Sequence, residues 1–351
     1  MILLEQVIKQ IQPLCQEAME QAQIRWDSIA KPLRSLGRLE QAVIQIAGIT
    51  GSQEVQLKKR AVVVMCADNG VVCEGVTQTG QEVTAVVSEN FVKGTTSVNQ
   101  MAKVAGAQVI PVDIGIASDV QGLRNKKIAY GTKNLAKEPA MTRQQAIEAL
   151  EVGINLVAEL KQDGYQILAT GEMGIGNTTT SSAIAAVLTG CAVEEVTGKG
   201  AGLSAQGLKI KKQVIETAIE RHRPDPEDAI DVLSKVGGFD IAGLDRVYLG
   251  GAFQRIPIVV DGFISAVAAL VAIRICPEVQ HYLIPSHVSK EPAGKMLLEQ
   301  LHLKPFLTCE MCLGEGTGAV ALFPILDMAL AVYQNMSTFS EIKIEEYQPL
   351  D

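Results

Sequence analysis

The stretch that most constrains the fold is residues 171–180, Gly-Glu-Met-Gly-Ile-Gly-Asn-Thr-Thr-Thr, which follow a mainly apolar run at 165–169 and precede small residues in a helical pattern. The order strand, glycine loop, helix brings backbone N–H groups and a helix start close to a ligand. Asn177 and Thr178 are favoured N-cap residues, so the loop suits a phosphate, with Glu172 as a neighbouring carboxylate. A plain turn before a capped helix explains the same residues, and the glycine spacing matches neither a P-loop nor a dinucleotide fingerprint.

Composition indicates the fold class around this loop. The chain has 351 residues, of which 47% are hydrophobic and only 4% aromatic, so its core is rich in Val, Ile, Leu and Ala. Such a core is typical of a parallel sheet covered by helices on both faces. Polar residues follow or end several apolar runs: Asp68, Asp113, Glu172, Asp261, Ser286 and Glu315. They are expected along one edge of a doubly wound, mostly parallel, Rossmann-like three-layer α/β sheet, where ligands bind.

The N-terminal part differs from this pattern. Apolar residues have helical spacing over 3–24, where Pro13 interrupts them, and again over 39–49. The sequence therefore predicts a small helical unit at the start of the chain.

Charge and cysteine usage exclude several classes of protein. The net charge of −8 argues against a nucleic-acid or anionic-membrane binder. Glu5 and Lys9 interrupt the first apolar residues, unlike a signal peptide, and the longest apolar run, 263–273, is too short to span a bilayer. The seven cysteines favour reduced thiols. The sequence therefore predicts a cytoplasmic protein without a membrane partner.

Few residues outside the glycine loops form a catalytic pattern. Cys309 and Cys312 are spaced like half a zinc site or a redox pair, but no second pair of ligands accompanies them, so we interpret them as structural. His287 is interpreted as a hydrogen-bonded structural histidine. Of the two glycine-flanked carboxylates, Glu172 and Glu315, Glu315 is the stronger candidate for a functional role. Glycines lie on both sides of it and let the backbone approach a ligand. The alternative is that Glu315 caps a helix starting near Thr317.

Lys209, Lys211 and Lys212 share one turn of a predicted helix after a second glycine loop at 198–204. Three lysines on one turn are usually solvated, although one of them can point back to an anion.

Several segments together resemble one enzyme family. The sequences at 172–179, 286–292 and 313–319 resemble the signatures of nicotinate-nucleotide–dimethylbenzimidazole phosphoribosyltransferases. Further matches lie at Lys31-Pro32, 35–40, Ala67-Asp68 with Gly70-Val71, 74–76, 237–242 and 261–263. All occur in the family's order from about residue 31 to 335, nearly the whole chain.

The resemblance implies a reaction and an architecture. The family moves phosphoribose from nicotinate mononucleotide to an aromatic base, inverting the β-glycoside to α, and so makes the lower nucleotide of cobamides. It works as a dimer and combines a large α/β domain with a small helical domain from both chain ends. The implied division here is 1–55 plus 322–351 for the small domain and 56–321 for the catalytic domain.

The resemblance also implies site residues. Glu315 would be the general base and Glu172 the second active-site carboxylate. Residues implied for the aromatic base are Thr77, Gln81, Met173 and Leu313. Residues implied for the phosphoribose are Gly174, Gly176, Asn177, Thr178, Lys211 and Ser289. No metal and no cofactor is required, because the pyridinium leaves as a neutral ring and one carboxylate can accept the proton of the incoming base.

The chain departs from the family pattern at Asn69, Leu33-Arg34, Cys312 and 293–295, where the family usually has His, Pro-Gly, Arg and Gly-His-Arg. The acceptor can therefore be a benzimidazole, adenine or a phenol, in a homodimer or in a heterodimer with a homologous chain, since paired homologues attach phenolic bases. A non-catalytic partner subunit is the alternative from another class, and a dinucleotide oxidoreductase lacks its fingerprint.

Overall fold

A computed structural model describes residues 4–347, with side chains from residue 6 onward. Its sheet has six parallel strands in the order β3-β2-β1-β4-β5-β6. The strands are β1 (Arg60–Ala67), β2 (Ala107–Gly115), β3 (Arg124–Asn125), β4 (Ile167–Met173), β5 (Ile258–Val260) and β6 (Leu283–Pro285). This order reverses between β1 and β4, as in doubly wound folds. The predicted fold class is confirmed, and every described strand is parallel.

Fourteen α-helices are described within residues 4–347. They are α1 (Leu4–Gln10), α2 (Gln16–Ser28), α3 (Arg38–Thr50), α4 (Glu82–Lys93), α5 (Ser97–Ala105), α6 (Arg143–Gln162), α7 (Asn177–Thr189), α8 (Val193–Val196), α9 (Ala205–His222), α10 (Ala229–Val236), α11 (Phe239–Gln254), α12 (Phe263–Ile275), α13 (Gly294–Gln300) and α14 (Thr317–Asn335).

Helices cover both faces of the sheet because its central strands are apolar on both sides. All eight residues of β1 are buried. On one face Gly243 of α11 lies against the Met65 side chain, and on the other Gly316, at the start of α14, lies against Val62. The absence of side chains at these glycines lets the helices approach the strands closely.

The two chain ends meet beside the sheet. Pro13 lies between α1 and α2, as the sequence predicts. The Trp26 and Tyr333 rings are 5.0 Å apart, and the Ala30 amide donates to the Ser337 carbonyl at 3.0 Å. The division into two domains stays a prediction: α14 runs unbroken across the proposed boundary at 321/322, and residues 1–3 and 348–351 lie outside the described part.

Strand β4 differs from the prediction in a way that matters for the site. It runs from Ile167 to Met173 rather than over 165–169, because Gly171 is extended and pairs with Val64 of β1. Because glycines favour loops, the sequence alone predicts that Glu172 lies in the glycine loop. Glu172 instead ends a buried strand. Sequence patterns also missed β3 and α13, which are short and have no clear periodicity.

The longest apolar helix is α14. By length and composition it is long and apolar enough to cross a membrane, but 56% of its most apolar window is buried inside the protein. The apolar run at 263–273 forms most of α12, and most side chains of this helix are buried.

Candidate active site

A cavity of about 280 Å³ lies over the carboxyl ends of β4, β5 and β6. Eight of the predicted site residues line it: Glu172, Met173, Gly174, Asn177, Thr178, Ser289, Leu313 and Glu315. The other four, Thr77, Gln81, Gly176 and Lys211, are not in its lining. The strand ends therefore bring segments from distant parts of the sequence to one place, as parallel sheets do.

Glu315 lies in a strained turn at this cavity. Its φ is +61°, between Gly314 at +89° and Gly316 at +91°. Such a conformation costs free energy in a non-glycine residue and is concentrated at functional sites. Gly316, not Glu315, is the N-cap of α14, and no side chain caps that helix. The alternative that Glu315 caps its own helix is therefore wrong.

The Glu315 carboxylate is held by a different helix. Its Oε2 accepts from the Val98 amide at 3.0 Å, in the first turn of α5, and Thr96 at the N-cap also faces it. Burial raises the pKa of Glu315 above its ordinary value, the nearby Asp261 raises it further, and the bonds from Val98 and Thr96 oppose the shift. A raised pKa makes the ionised carboxylate a stronger base, which suits Glu315 to accept a proton.

Glu172 lies beside the Glu315 loop. Its side chain is buried, its carboxylate lies near the backbone N–H of Glu315, and its Oε1 lies against Gly314. Burial raises the pKa of Glu172 to about 8, and the neighbouring Asp240 adds to this shift. The two predicted carboxylates are therefore parts of one connected structure.

The predicted phosphate loop starts α7 at the cavity. Gly176, with φ +94°, is the N-cap of this helix, and the Asn177 and Thr179 N–H groups donate to the Gly174 and Gly176 carbonyls within the loop. Thr178 lines the cavity, and its Oγ1 accepts from Lys211 Nζ at 2.8 Å. The Asn177 side chain is directed elsewhere: its amide donates to the Glu172 and Asp240 carboxylates. Its assignment to phosphate stays a prediction that this amide geometry does not favour.

Lys211 lies one layer behind the cavity surface. Its side chain is fully buried, and Nζ also donates to the Gly198 carbonyl at 3.2 Å. Burial lowers the pKa of Lys211 to about 8, while the Glu291 carboxylate opposes the shift. Lys209 on the same helix is exposed. Of the three lysines on this turn, Lys211 is the one that points back toward the predicted anion site.

Replacing Lys211 by alanine tests this position. We expect Lys211→Ala to raise the KM for nicotinate mononucleotide about tenfold or more while changing the acceptor KM little, because a buried ammonium supports phosphate binding through charge-assisted contacts. Lys209→Ala is the matched control and should leave both constants unchanged. Initial rates with each substrate varied in turn give the two constants; an unaltered nucleotide KM in Lys211→Ala would assign Lys211 to structure alone.

The predicted pocket for the aromatic base is only partly assembled. Met173 is half-buried in the lining, and Leu313 is 59% exposed there. Gln81 Nε2 instead donates to the Asn69 carbonyl at 3.2 Å, and Thr77 Oγ1 donates to the Thr79 carbonyl at 2.8 Å. Thr77 and Gln81 thus lie in the neighbouring loop and their contact with the base stays a prediction.

Among the lining residues that were not predicted site residues, Asp261 and His287 are polar groups that follow parallel strands. Asp261 Oδ1 accepts from the Ala319 amide at 2.9 Å in the first turn of α14, and burial raises the pKa of Asp261. His287 Nδ1 lies 3.1 Å from Ser286 Oγ, as expected for a hydrogen-bonded histidine. Two signals could have identified them: their position after parallel strands, and the family resemblance of the segments 261–263 and 286–292.

Two other polar strand ends hold loops instead of facing the cavity. Asp68 Oδ2 accepts from the Ala117 amide at 2.8 Å, and Asp113 pairs with Lys127 at 3.2 Å. The sequence predicts both aspartates at the ligand-binding edge of the sheet. Neither lines the cavity, and both hold neighbouring loops in place instead.

The cysteines are all unpaired in this structure. Cys312 is exposed and lines the cavity beside Leu313, whereas Cys309 is exposed outside it. Within residues 4–347 no group of three or more His, Cys, Asp or Glu side chains is arranged to hold a metal ion.

Comparison with known proteins identifies the family. A family model described as phosphoribosyltransferase matches residues 11–344. The chain is 52% identical to the nicotinate-nucleotide–dimethylbenzimidazole phosphoribosyltransferase of Acetivibrio thermocellus and 51% identical to that of Ruminiclostridium cellulolyticum, each covering 99% of both chains. The chain belongs to the nicotinate-nucleotide–dimethylbenzimidazole phosphoribosyltransferase family.

A solved structure agrees with this assignment. The crystal structure of CobT from Thermus thermophilus matches with a TM-score of 0.89 at 38% identity, and the match covers 94% of this chain and 100% of that one. Membership in the phosphoribosyltransferase family makes the chain a pentosyltransferase. It supports the predicted phosphoribosyltransferase activity over the two alternatives, a dinucleotide oxidoreductase and a non-catalytic subunit.

Proposed function

We propose that this chain transfers phosphoribose from nicotinate mononucleotide to dimethylbenzimidazole, with inversion to the α-glycoside, in assembly of the cobamide lower nucleotide. One observation carries the proposal within the family: Glu172 and Glu315 meet at one cavity, where Glu172 Oε1 lies against Gly314, the residue before Glu315. The two predicted catalytic carboxylates are thus held in a fixed relation to each other.

The reaction needs little more than these groups. The bond from C1′ to the pyridinium nitrogen breaks, and its electron pair returns to the ring, so nicotinate departs without a proton donor. The unprotonated ring nitrogen of the incoming benzimidazole forms the new bond to C1′, and the proton on its other ring nitrogen passes to Glu315. General base catalysis of this kind contributes about 10²–10⁴-fold.

The electrostatics of the cavity suit both ends of the nucleotide. Glu172, Asp261 and Glu315 line the cavity. In their ionised form these carboxylates can stabilise the positive charge that develops at C1′. The start of α7, supported by Lys211, is available to the phosphate at the other end. The substrate's charges would therefore orient it with C1′ toward the carboxylates.

A phenolic acceptor is the second candidate, and Cys312 is the observation that favours it. Of the departures from the family pattern, Cys312 alone lies in the cavity lining. Asn69 is buried behind the glycine loop, and Lys295 is exposed and 3.7 Å from Glu299. A cysteine in place of arginine removes a positive charge near Glu315, which raises the pKa of that carboxylate and makes it a stronger base.

An acceptor panel tests both candidates. We expect the chain to convert dimethylbenzimidazole and also phenol or p-cresol, whose proton is held to about pH 10. Purified protein is incubated with nicotinate mononucleotide and benzimidazoles, adenine or phenols, alone and with any co-encoded homologue, and products are identified by mass spectrometry. Cys312→Arg should reduce the O-linked product selectively, whereas Cys309→Arg, outside the cavity, should not.

The panel separates the outcomes cleanly. Good turnover of dimethylbenzimidazole with no O-linked product under either condition would restrict the chain to the benzimidazole reaction and leave Cys312 without a role in acceptor choice. Failure with every acceptor would contradict the proposed function. Assembly as a homodimer or a heterodimer, a cytoplasmic location and the two-domain division remain predictions alongside it.

A further inference from the structure

One amide group holds two buried carboxylates beside the cavity. Asn177 Nδ2 donates to Glu172 Oε2 and, at 2.9 Å, to Asp240 Oδ2. A carboxamide nitrogen carries two hydrogens, so both are committed to carboxylates. Asp240 is fully buried and does not line the cavity. We call Glu172 and Asp240 the carboxylate pair; Asn177 links Asp240 to Glu172, and Asp240 Oδ2 also lies against Gly174 of the glycine loop.

Asp240 is fixed on its other side by the helix that it begins. Its Oδ1 accepts from the Ile241 amide at 3.0 Å, in the first turn of α11. A helix start favours negative charge, so Asp240 is better placed than Glu172 to keep its charge. Glu172 lines the cavity, where ionisation can be coupled to substrate.

Two carboxylates that share one amide in a buried site cannot both ionise cheaply, so their titrations are coupled. Burial is the main cause that raises the pKa of Asp240 to about 7 and that of Glu172 to about 8. Burial and mutual repulsion thus make it costly to ionise both groups of the pair at once.

The groups around the carboxylate pair are acids. Asp68 after β1 faces Asp240, while Asp261 after β5 and the Cys66 thiol of β1 lie near Glu172. The backbone N–H of Glu315 lies near Glu172 and opposes the upward shift of its pKa. Neutralising Asp240 would therefore remove a negative neighbour and make Glu172 easier to ionise.

We propose that Asp240 is a positioning residue for the transfer reaction, which through the Asn177 amide fixes the orientation and protonation of Glu172 and thereby supports the Glu315 loop. The inference rests on the proposed function, because it concerns the state of a carboxylate in that reaction. It adds a residue that touches no substrate.

The test is Asp240→Asn, measured against active wild-type chain with nicotinate mononucleotide and dimethylbenzimidazole from about pH 5 to about pH 9. We expect kcat at neutral pH to fall about tenfold, because Glu172 loses its fixed orientation, while the nucleotide KM stays within about twofold. Ionised Glu172 stabilises the charge at C1′ in the proposed reaction, so its protonation contributes, with that of Glu315, to the acid limb of the kcat profile. That limb should move to lower pH, since loss of the Asp240 charge lowers the pKa of Glu172. A merely structural role would not move that limb.

Asp245→Asn is the matched control: it makes the same change in the same buried helix, where Asp245 lies 3.6 Å from Arg246 and has no bond to Asn177. Its acid limb should coincide with that of the wild type. An unmoved limb in Asp240→Asn would overturn the inference, and wild-type activity would still support the proposed function.

A second variant decides the matter if Asp240→Asn does not fold. Asp240→Glu keeps the charge but displaces the carboxylate by one methylene, so we expect lower kcat with an unmoved acid limb and unchanged nucleotide KM. A kcat within about twofold of wild type in Asp240→Glu would contradict a positioning role.

Discussion

Glu315→Gln is expected to cut turnover by at least about 10²-fold while the chain stays folded. The glutamine side chain can still accept from the Val98 amide through its oxygen, so the contact that holds residue 315 against α5 is preserved. What it loses is the ability to take a proton from the incoming base. The measurement is kcat with nicotinate mononucleotide and dimethylbenzimidazole, together with the thermal unfolding midpoint.

Glu310→Gln is the control for this change. Glu310 lies in the same loop, is 79% exposed and pairs with Lys290 at 3.4 Å on the surface. Its replacement should leave kcat unchanged. If Glu315→Gln kept activity within a few-fold of the wild type, another group would have to be the general base.

Gly171→Ala is expected to have an effect of similar size by a different route. A β-carbon at residue 171 would lie 2.7 Å from the carbonyl carbon of Glu315 and 2.9 Å from the Gly316 amide nitrogen. These are backbone atoms, so the Glu315 turn itself must shift. Misplacing a catalytic group by about 1 Å can cost about 10²-fold in rate, and overpacking of this kind destabilises by about 1–3 kcal/mol.

Kinetics and thermal unfolding of Gly171→Ala can be compared with Gly207→Ala. In α9 a β-carbon at Gly207 would meet the Leu203 side chain, which can move aside, and alanine is favoured over glycine within helices. We expect Gly207→Ala to keep full activity. Full activity in Gly171→Ala as well would show that the turn tolerates displacement, contrary to the tight geometry proposed for it.

The sheet could be predicted from the sequence because its signals are local. The β-branched residues of β1 and the Pro13 break between α1 and α2 each indicate structure within a few positions. Strand β4 shows the limit of such patterns, because Gly171 suggests a loop although it pairs with Val64 in the sheet. Pairing with a neighbouring strand is a long-range interaction that local propensity does not contain.

The site, like the sheet, could be predicted from local sequence signals but not in its long-range contacts. Glu172 and Glu315 could be chosen from their glycine neighbours and from the family resemblance. The contacts that set their environment come from remote segments: Val98 binds Glu315, and Asp240 shares Asn177 with Glu172. The sequence cannot distinguish Lys211 from the two other lysines on the same helical turn. The structure does, because α9 directs Lys211 toward Thr178. Thr77 and Gln81, taken from the resemblance alone, lie outside the cavity lining.

We expect this cavity to exchange nicotinate for an aromatic base at C1′ of the ribose, with inversion at that carbon. The most direct measurement incubates the purified chain with nicotinate mononucleotide and dimethylbenzimidazole, quantifies released nicotinate, and determines the anomeric configuration of the product by proton NMR. The proposed function predicts one nicotinate released for each α-configured ribotide formed, and loss of both in Glu315→Gln. A β-configured product, or nicotinate released without any ribotide of the base, would contradict it.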